Sequence, residues 1–223
     1  MFDVRSKVNA FSTLVKEYEE AEIQEGLIMF YGDSAFTRWK EEQGNAALED
    51  VIRMKDGSRA AVNHGLGGST ADQLLYWYDR MVKAWKPRAL VLKAYSNDLD
   101  RSYSVDEIIF LQARILEWAR VDMPGIKMFV CDAQPQRKEK ELKMTAYHHR
   151  MEYNERMSQY CTKHDDVTMV WQSRIPDLYT NPKDVGDYSK VRDDLFVEDG
   201  VHFNKEGYEI YKQFWLEQLD ELL

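Results

Sequence analysis

Leu27-Ile28-Met29-Phe30-Tyr31 runs directly into Gly32-Asp33-Ser34. A short apolar run bounded by a turn reads as a strand, and here it leaves a serine at the strand's carboxyl end, where open parallel sheets bind ligands. Four further runs of the same kind lie at 59–63, 89–93, 126–130 and 167–171. Longer stretches with helical spacing separate them. That alternation predicts βαβ units: a five-stranded parallel sheet covered by helices on both faces, in a three-layer α/β/α sandwich.

The helical spacing is explicit in Leu74, Tyr78, Met81 and Trp85, which share one face before Pro87 stops the helix. Ile108, Leu111, Ile115 and Ala119 repeat it, as do Tyr208, Tyr211, Trp215 and Leu219 in a last helix expected over 205–219. A first helix is expected over about 4–22, and a short one over 36–43. The stretch 139–164 is more polar, and Met144, Tyr147, Met151 and Cys161 are its expected inner face, with His148 and His149 in solvent. The irregular stretch 173–201 is long for a compact domain, which suggests a functional loop.

The chain has 223 residues, 44% of them hydrophobic, enough for one sizeable core, and neither a repeat nor a Pro/Gly/Ser-rich linker divides it. One domain over 1–223 is expected. A net charge of -9 repels phosphate backbones and anionic lipid surfaces, so neither nucleic acid nor a membrane is an expected partner. Cys131 and Cys161 form no paired motif, which argues against a zinc site or a disulfide framework. The amino-terminal residues contain no apolar signal-peptide core, so a cytoplasmic location is expected.

A serine hydroxyl is a poor nucleophile until a base removes its proton, and a histidine base needs an acid to orient it. Asp199-Gly200-Val201-His202 can supply both within a tight turn. Attack on an ester builds charge on oxygen, which calls for preorganised donors. Gly67-Gly68 after the second strand and Asn97 after the third are candidates. Each signal also has an ordinary structural reading: Gly-Asp-Ser as a turn, Gly-Gly as a turn, Asn97-Asp98 and Asp-x-x-His as helix caps.

In order, Gly32-Asp33-Ser34, Asn63-His64-Gly65-Leu66-Gly67-Gly68, Ser96-Asn97-Asp98 and Asp199-Gly200-Val201-His202-Phe203-Asn204 resemble the four blocks of the SGNH (GDSL-like) hydrolase family. The resemblance implies a flavodoxin-like fold and a serine ester hydrolase with Ser34 as nucleophile, His202 as base and Asp199 as its orienting acid. It further implies an oxyanion hole made of the Ser34 and Gly68 backbone N–H groups with the Asn97 side chain, and no metal or organic cofactor. Substrates in such a family are acyl esters of sugars, lipids or small molecules.

Two positions depart from the family pattern. Ala35 stands where leucine is usual, and Tyr95 where glycine is usual. Both are expected in the substrate pocket, where an inward-pointing Tyr95 ring would exclude long acyl chains; the alternative is that the ring turns away and packs under the following helix. The expected function is therefore hydrolysis of short acyl, foremost acetyl, esters of small molecules or carbohydrates. An acyltransferase with the same triad, a longer-chain lipase or lysophospholipase, and a catalytically silent sugar-binding module are the alternatives. The Gly-x-Ser-x-Gly elbow is absent, and Thr70 stands where a dinucleotide fingerprint needs glycine. His64, a loop histidine with no spaced partner, is expected to be structural.

Overall fold

A computed structural model describes residues 7, 9–41, 44–138 and 144–223. Five strands, β1 (Ile28–Gly32), β2 (Ala61–Gly65), β3 (Ala89–Lys93), β4 (Lys127–Cys131) and β5 (Val167–Val170), pair in parallel in the order β2-β1-β3-β4-β5. Each lies within two residues of its expected position. The chain leaves β1 for β2 on one side and returns to β3 on the other, so the loops after β1 and β3 diverge and open a crevice.

β1 and β3 are buried along their whole length because both faces are covered. Met29, Tyr31, Leu90, Leu92 and Val130 face one core, closed by α1 (Ser12–Glu20), α4 (Ala71–Met81), α6 (Val105–Asp122) and α7 (Met144–Cys161). Ile28, Phe30, Ala89, Val91 and Cys131 face the other, where Tyr211 and Trp215 of α8 (Lys205–Gln218) pack with Leu219, which caps that helix. The short helices α2 (Ser34–Thr37) and α3 (Leu48–Val51) add Phe36 and Leu48 to that second core, and α5 (Ser96–Asp100) follows β3. Truncating one fully buried aromatic such as Trp215 to alanine should cost about 3–5 kcal/mol.

Local chemistry sets the helix ends. Thr70 with Gln73, and Ser104 with Glu107, form capping boxes at the starts of α4 and α6, and the Asn204 side chain accepts from the Gly207 N–H at the start of α8. The expected stripes on α4, α6 and α8 are buried.

Three expectations change. The first helix spans Ser12–Glu20, and the part of its expected range around Val4 lies outside the described residues. The helix expected over 36–43 instead begins at Ser34 and ends at Thr37, with Glu42 and Gln43 outside the described residues. It stops because its next carbonyls are taken elsewhere: Arg38 O by the Asn45 side-chain amide at 2.9 Å and Trp39 O by the Leu48 N–H at 3.2 Å.

The third change concerns 139–164, of which 139–143 lie outside the described residues. Tyr147 is exposed and Met151 half-buried, whereas Arg150, Tyr153, Asn154 and Met157 face inward. Arg150 and Asn154 are buried because they serve the loop after β4. Arg150 donates to Gln134 O at 2.9 Å, and the Asn154 side chain accepts from the Ala133 N–H at 3.0 Å. Among the described residues, no helix is long and apolar enough to cross a membrane.

Candidate active site

Ser34 is the first residue of α2, immediately after β1, and Asp33 caps that helix by accepting from the Ala35 N–H at 2.9 Å. The serine hydroxyl thus sits on a fixed turn at the mouth of the crevice. Opposite it, the segment before α8 folds back on itself. Asp199 Oδ1 accepts from the backbone N–H groups of Val201 at 2.8 Å and His202 at 3.0 Å, and Gly200 adopts φ +68 to let the turn close. Two side-chain contacts complete the line: His202 Nδ1 donates to Asp199 Oδ2 at 2.7 Å, and His202 Nε2 stands 2.7 Å from Ser34 Oγ.

Burial opposes ionisation of Asp199. The hydrogen bonds from the His202 backbone and ring and from Val201 outweigh it and hold the carboxyl down at about 2. The acid of the pair is therefore a carboxylate across the ordinary pH range, able to fix the imidazole tautomer and to balance an imidazolium.

The donors expected for an oxyanion lie on the three segments that follow β1, β2 and β3. Among the described residues, neither the Ser34 nor the Gly68 backbone N–H has a hydrogen-bond acceptor. Gly68 has φ +82, a left-handed conformation that aims the backbone as a side-chain-bearing residue rarely could. The Asn97 side chain donates one amide hydrogen to Ser69 O at 3.0 Å, tying its loop to the Gly68 loop, and the second hydrogen remains for a ligand.

Beside Ser34 lies a cleft of about 200 Å³ with Ala35, Val201, Phe203 and Tyr208 on its apolar side. Its other wall is polar and contains residues that sequence patterning did not single out: Lys93, Gln134, Gln136, Asp100 and Lys138. Lys93 was legible in principle, as a charged residue closing an apolar strand. The glutamines follow β4 in a loop whose position depends on Arg150 and Asn154, and no local spacing announces them.

Tyr95 requires a correction. Ala35 lines the cleft as expected, but the Tyr95 ring is 2% exposed and packs, tilted by 31°, against Tyr153 at 4.4 Å between centroids, with the Arg150 guanidinium 5.4 Å from its centre. A large ring buries more apolar area against α7 than it could in a polar cleft, and so it turns into the core. His64 is fully buried, with Nδ1 2.7 Å from Met81 O, and is structural. Among the described residues, no cluster of three or more His, Cys, Asp or Glu side chains could hold a metal ion.

A five-stranded parallel sheet covered by helices on both faces defines an α/β fold, and solved structures share it. A GDSL-like lipase from Bacteroides thetaiotaomicron superposes with a TM-score of 0.71 at 20% identity, covering 99% of this chain and 100% of its own. The lipase/acylhydrolase from Enterococcus faecalis gives 0.66 at 18% identity over 87% of this chain and 95% of its own. A mutant acetyl esterase crystallised with acetate ion gives 0.58 at 15% identity over 88% and 97%. The comparison with curated protein sequences finds no match. The sequence model of the GDSL-like Lipase/Acylhydrolase family matches residues 30–210, and the chain belongs to that family. It is an ester hydrolase.

Proposed function

We propose that this hydrolase cleaves short acyl esters, foremost acetyl esters of small molecules or carbohydrates, through an acyl-enzyme on Ser34. The observation that carries the reading is the unbroken line from Asp199 Oδ2 through the His202 ring to Ser34 Oγ, with both contacts at 2.7 Å.

In this mechanism His202 Nε2 takes the Ser34 proton as Oγ bonds to the ester carbonyl carbon, and Asp199 stabilises the imidazolium that forms. The carbonyl oxygen gains the electron pair and is met by the Ser34 and Gly68 N–H groups and the Asn97 amide. Collapse expels the alcohol, which takes the proton from His202 and leaves the acyl group on Ser34. Water then repeats the sequence and frees the acid. The small volume of the cleft supports a short acyl group. The two cores share one sheet, which supports reading 1–223 as a single domain.

Treatment with a fluorophosphonate probe, followed by proteolysis and mass spectrometry, tests the nucleophile. Modification of the peptide at Ser34 is the expected outcome. Labelling elsewhere, or none in a protein that hydrolyses p-nitrophenyl acetate, would remove Ser34 from this role.

A further inference from the structure

The polar wall of the cleft contains three deeply buried side chains. Lys93 and Gln136 are each 6% exposed and Gln134 is 5% exposed, yet all three line the cleft beside Ser34. Lys93 enters alongside Gly32, its register partner on β1: a Cβ there would stand 3.0 Å from Lys93 Cβ and 2.5 Å from its carbonyl oxygen.

The hydrogen-bonding capacity of Lys93 and Gln134 is not used up among the described residues. The Lys93 ammonium has one long contact, to Gln172 Oε1 at 3.5 Å, and that oxygen already accepts from the Tyr211 hydroxyl. Gln134 Oε1 is buried with no hydrogen-bond partner among the described residues. The loop that carries Gln134 is braced at its backbone, since Arg150 donates to Gln134 O and the Tyr188 hydroxyl to Ala133 O. Native proteins rarely bury such groups unsatisfied, and both Lys93 and Gln134 belong to the lining of the cleft beside Ser34.

The charges on the wall offset one another. Lys93 and Lys138 share the described lining with Asp33 and Asp100, and Lys138 pairs with Asp100 at 3.8 Å. A cleft without net charge gives no advantage to an ionic ester. It suits a neutral group that both donates and accepts, which is a hydroxyl.

We propose that Lys93 and Gln134 form a hydroxyl-binding subsite, Lys93 donating to and Gln134 Oε1 accepting from a hydroxyl group on the ester, so that hydroxylated esters are preferred over alkyl esters of the same length. The proposal rests on the esterase reading above. An alkyl chain in this cleft would leave both groups without a partner, whereas a hydroxyl would supply one. A site built around a buried donor and acceptor discriminates against the analogue lacking the hydroxyl by about tenfold or more.

The test compares propyl acetate with two hydroxylated esters of matched skeleton, glycerol 1-acetate on the alcohol side and propyl glycolate on the acyl side. Each kcat/KM is divided by that ester's alkaline hydrolysis rate constant. At least one hydroxylated ester should exceed propyl acetate by about tenfold or more after this correction, and that ester identifies the side that enters the subsite. Lys93→Met and Gln134→Leu should each lower the corrected ratio by at least about fivefold, and Gln134→Leu carries the test if the lysine variant does not fold. Corrected ratios near one in the parent, or a ratio unmoved in folded Gln134→Leu, overturn the subsite while leaving the esterase intact. Failure of the parent on all three esters and on p-nitrophenyl acetate would instead overturn the esterase reading on which the subsite depends.

Discussion

Arg38 Nη1 lies 3.8 Å from Asp199 Oδ2, the same carboxylate oxygen that accepts from His202 Nδ1 at 2.7 Å. The two contacts are unequal. The ion pair is open to water, with side-chain exposures of 38% and 39%, and such pairs contribute about 0–1 kcal/mol. Arg38→Ala should therefore change kcat by less than about fivefold, whereas Asp199→Asn should lower it by about 10³–10⁴, because the amide no longer holds the required imidazole tautomer. Steady-state rates on p-nitrophenyl acetate for both variants check the contrast. Equal losses would mean that Arg38 organises the turn as much as Asp199 does.

Asn97→Ala removes a donor aimed where charge develops. It should lower kcat by about a hundred- to a thousandfold with little change in KM, the usual cost of one oxyanion donor. The Ser69 carbonyl also loses its partner, so a thermal melt of the variant should accompany the kinetics. A rise in KM at constant kcat would make Asn97 a binding group.

Tyr95→Gly should leave the acyl-chain profile where it is, because the ring lies in the core against Tyr153 and does not line the cleft. The cost should appear in stability, by about 3–5 kcal/mol, as for other large-to-small changes of buried aromatics. A ladder of p-nitrophenyl esters from acetate to decanoate and a denaturation curve measure both effects. A shift toward longer chains in the variant would return the ring to the pocket.

Two buried groups give stability opposite pH dependences. Burial holds His64 down at about 4 against an ordinary 6.5, so the native ring stays neutral where an unfolded one takes up a proton. Its contribution is full above about 6.5 and is lost as pH falls toward 4, about 3 kcal/mol in all. Burial, with Asp72 and Asp33 nearby, pushes Asp98 up to about 8, so its contribution is full below 3.8 and is lost as pH rises toward 8. Urea denaturation between pH 4 and 9 should show a flatter acid limb in His64→Gln and a flatter alkaline limb in Asp98→Asn. Slopes identical to the parent's would contradict both assignments.

The fold was legible because its signals are local: five apolar runs, helical stripes such as Tyr208, Tyr211 and Trp215, and turn residues between them. The geometry of Ser34, Asp199 and His202 was legible for the same reason, since each sits in a short motif at an element boundary. What escaped depends on contacts between distant segments. Tyr95 was expected at the pocket with its ring turned either inward or away beneath the following helix, and the contact with Tyr153, 58 positions later, explains its turn into the core. The inner face of α7 was misjudged because hydrophobic patterning cannot foresee that Arg150 and Asn154 are buried to hold the loop after β4. Lys93, Gln134 and Gln136 were missed because they converge only once that loop is in place.

The most direct test of the account is the turnover of p-nitrophenyl acetate by Ser34→Ala, measured beside the parent with matched circular dichroism and thermal melts. The hydroxyl is small and half-buried, so the variant should fold as the parent does, and its kcat should fall by about 10⁴–10⁶. A folded Ser34→Ala protein that retains more than about a tenth of the parent rate, a loss of under 1.4 kcal/mol in transition-state stabilisation, would contradict catalysis through an acyl-enzyme on Ser34.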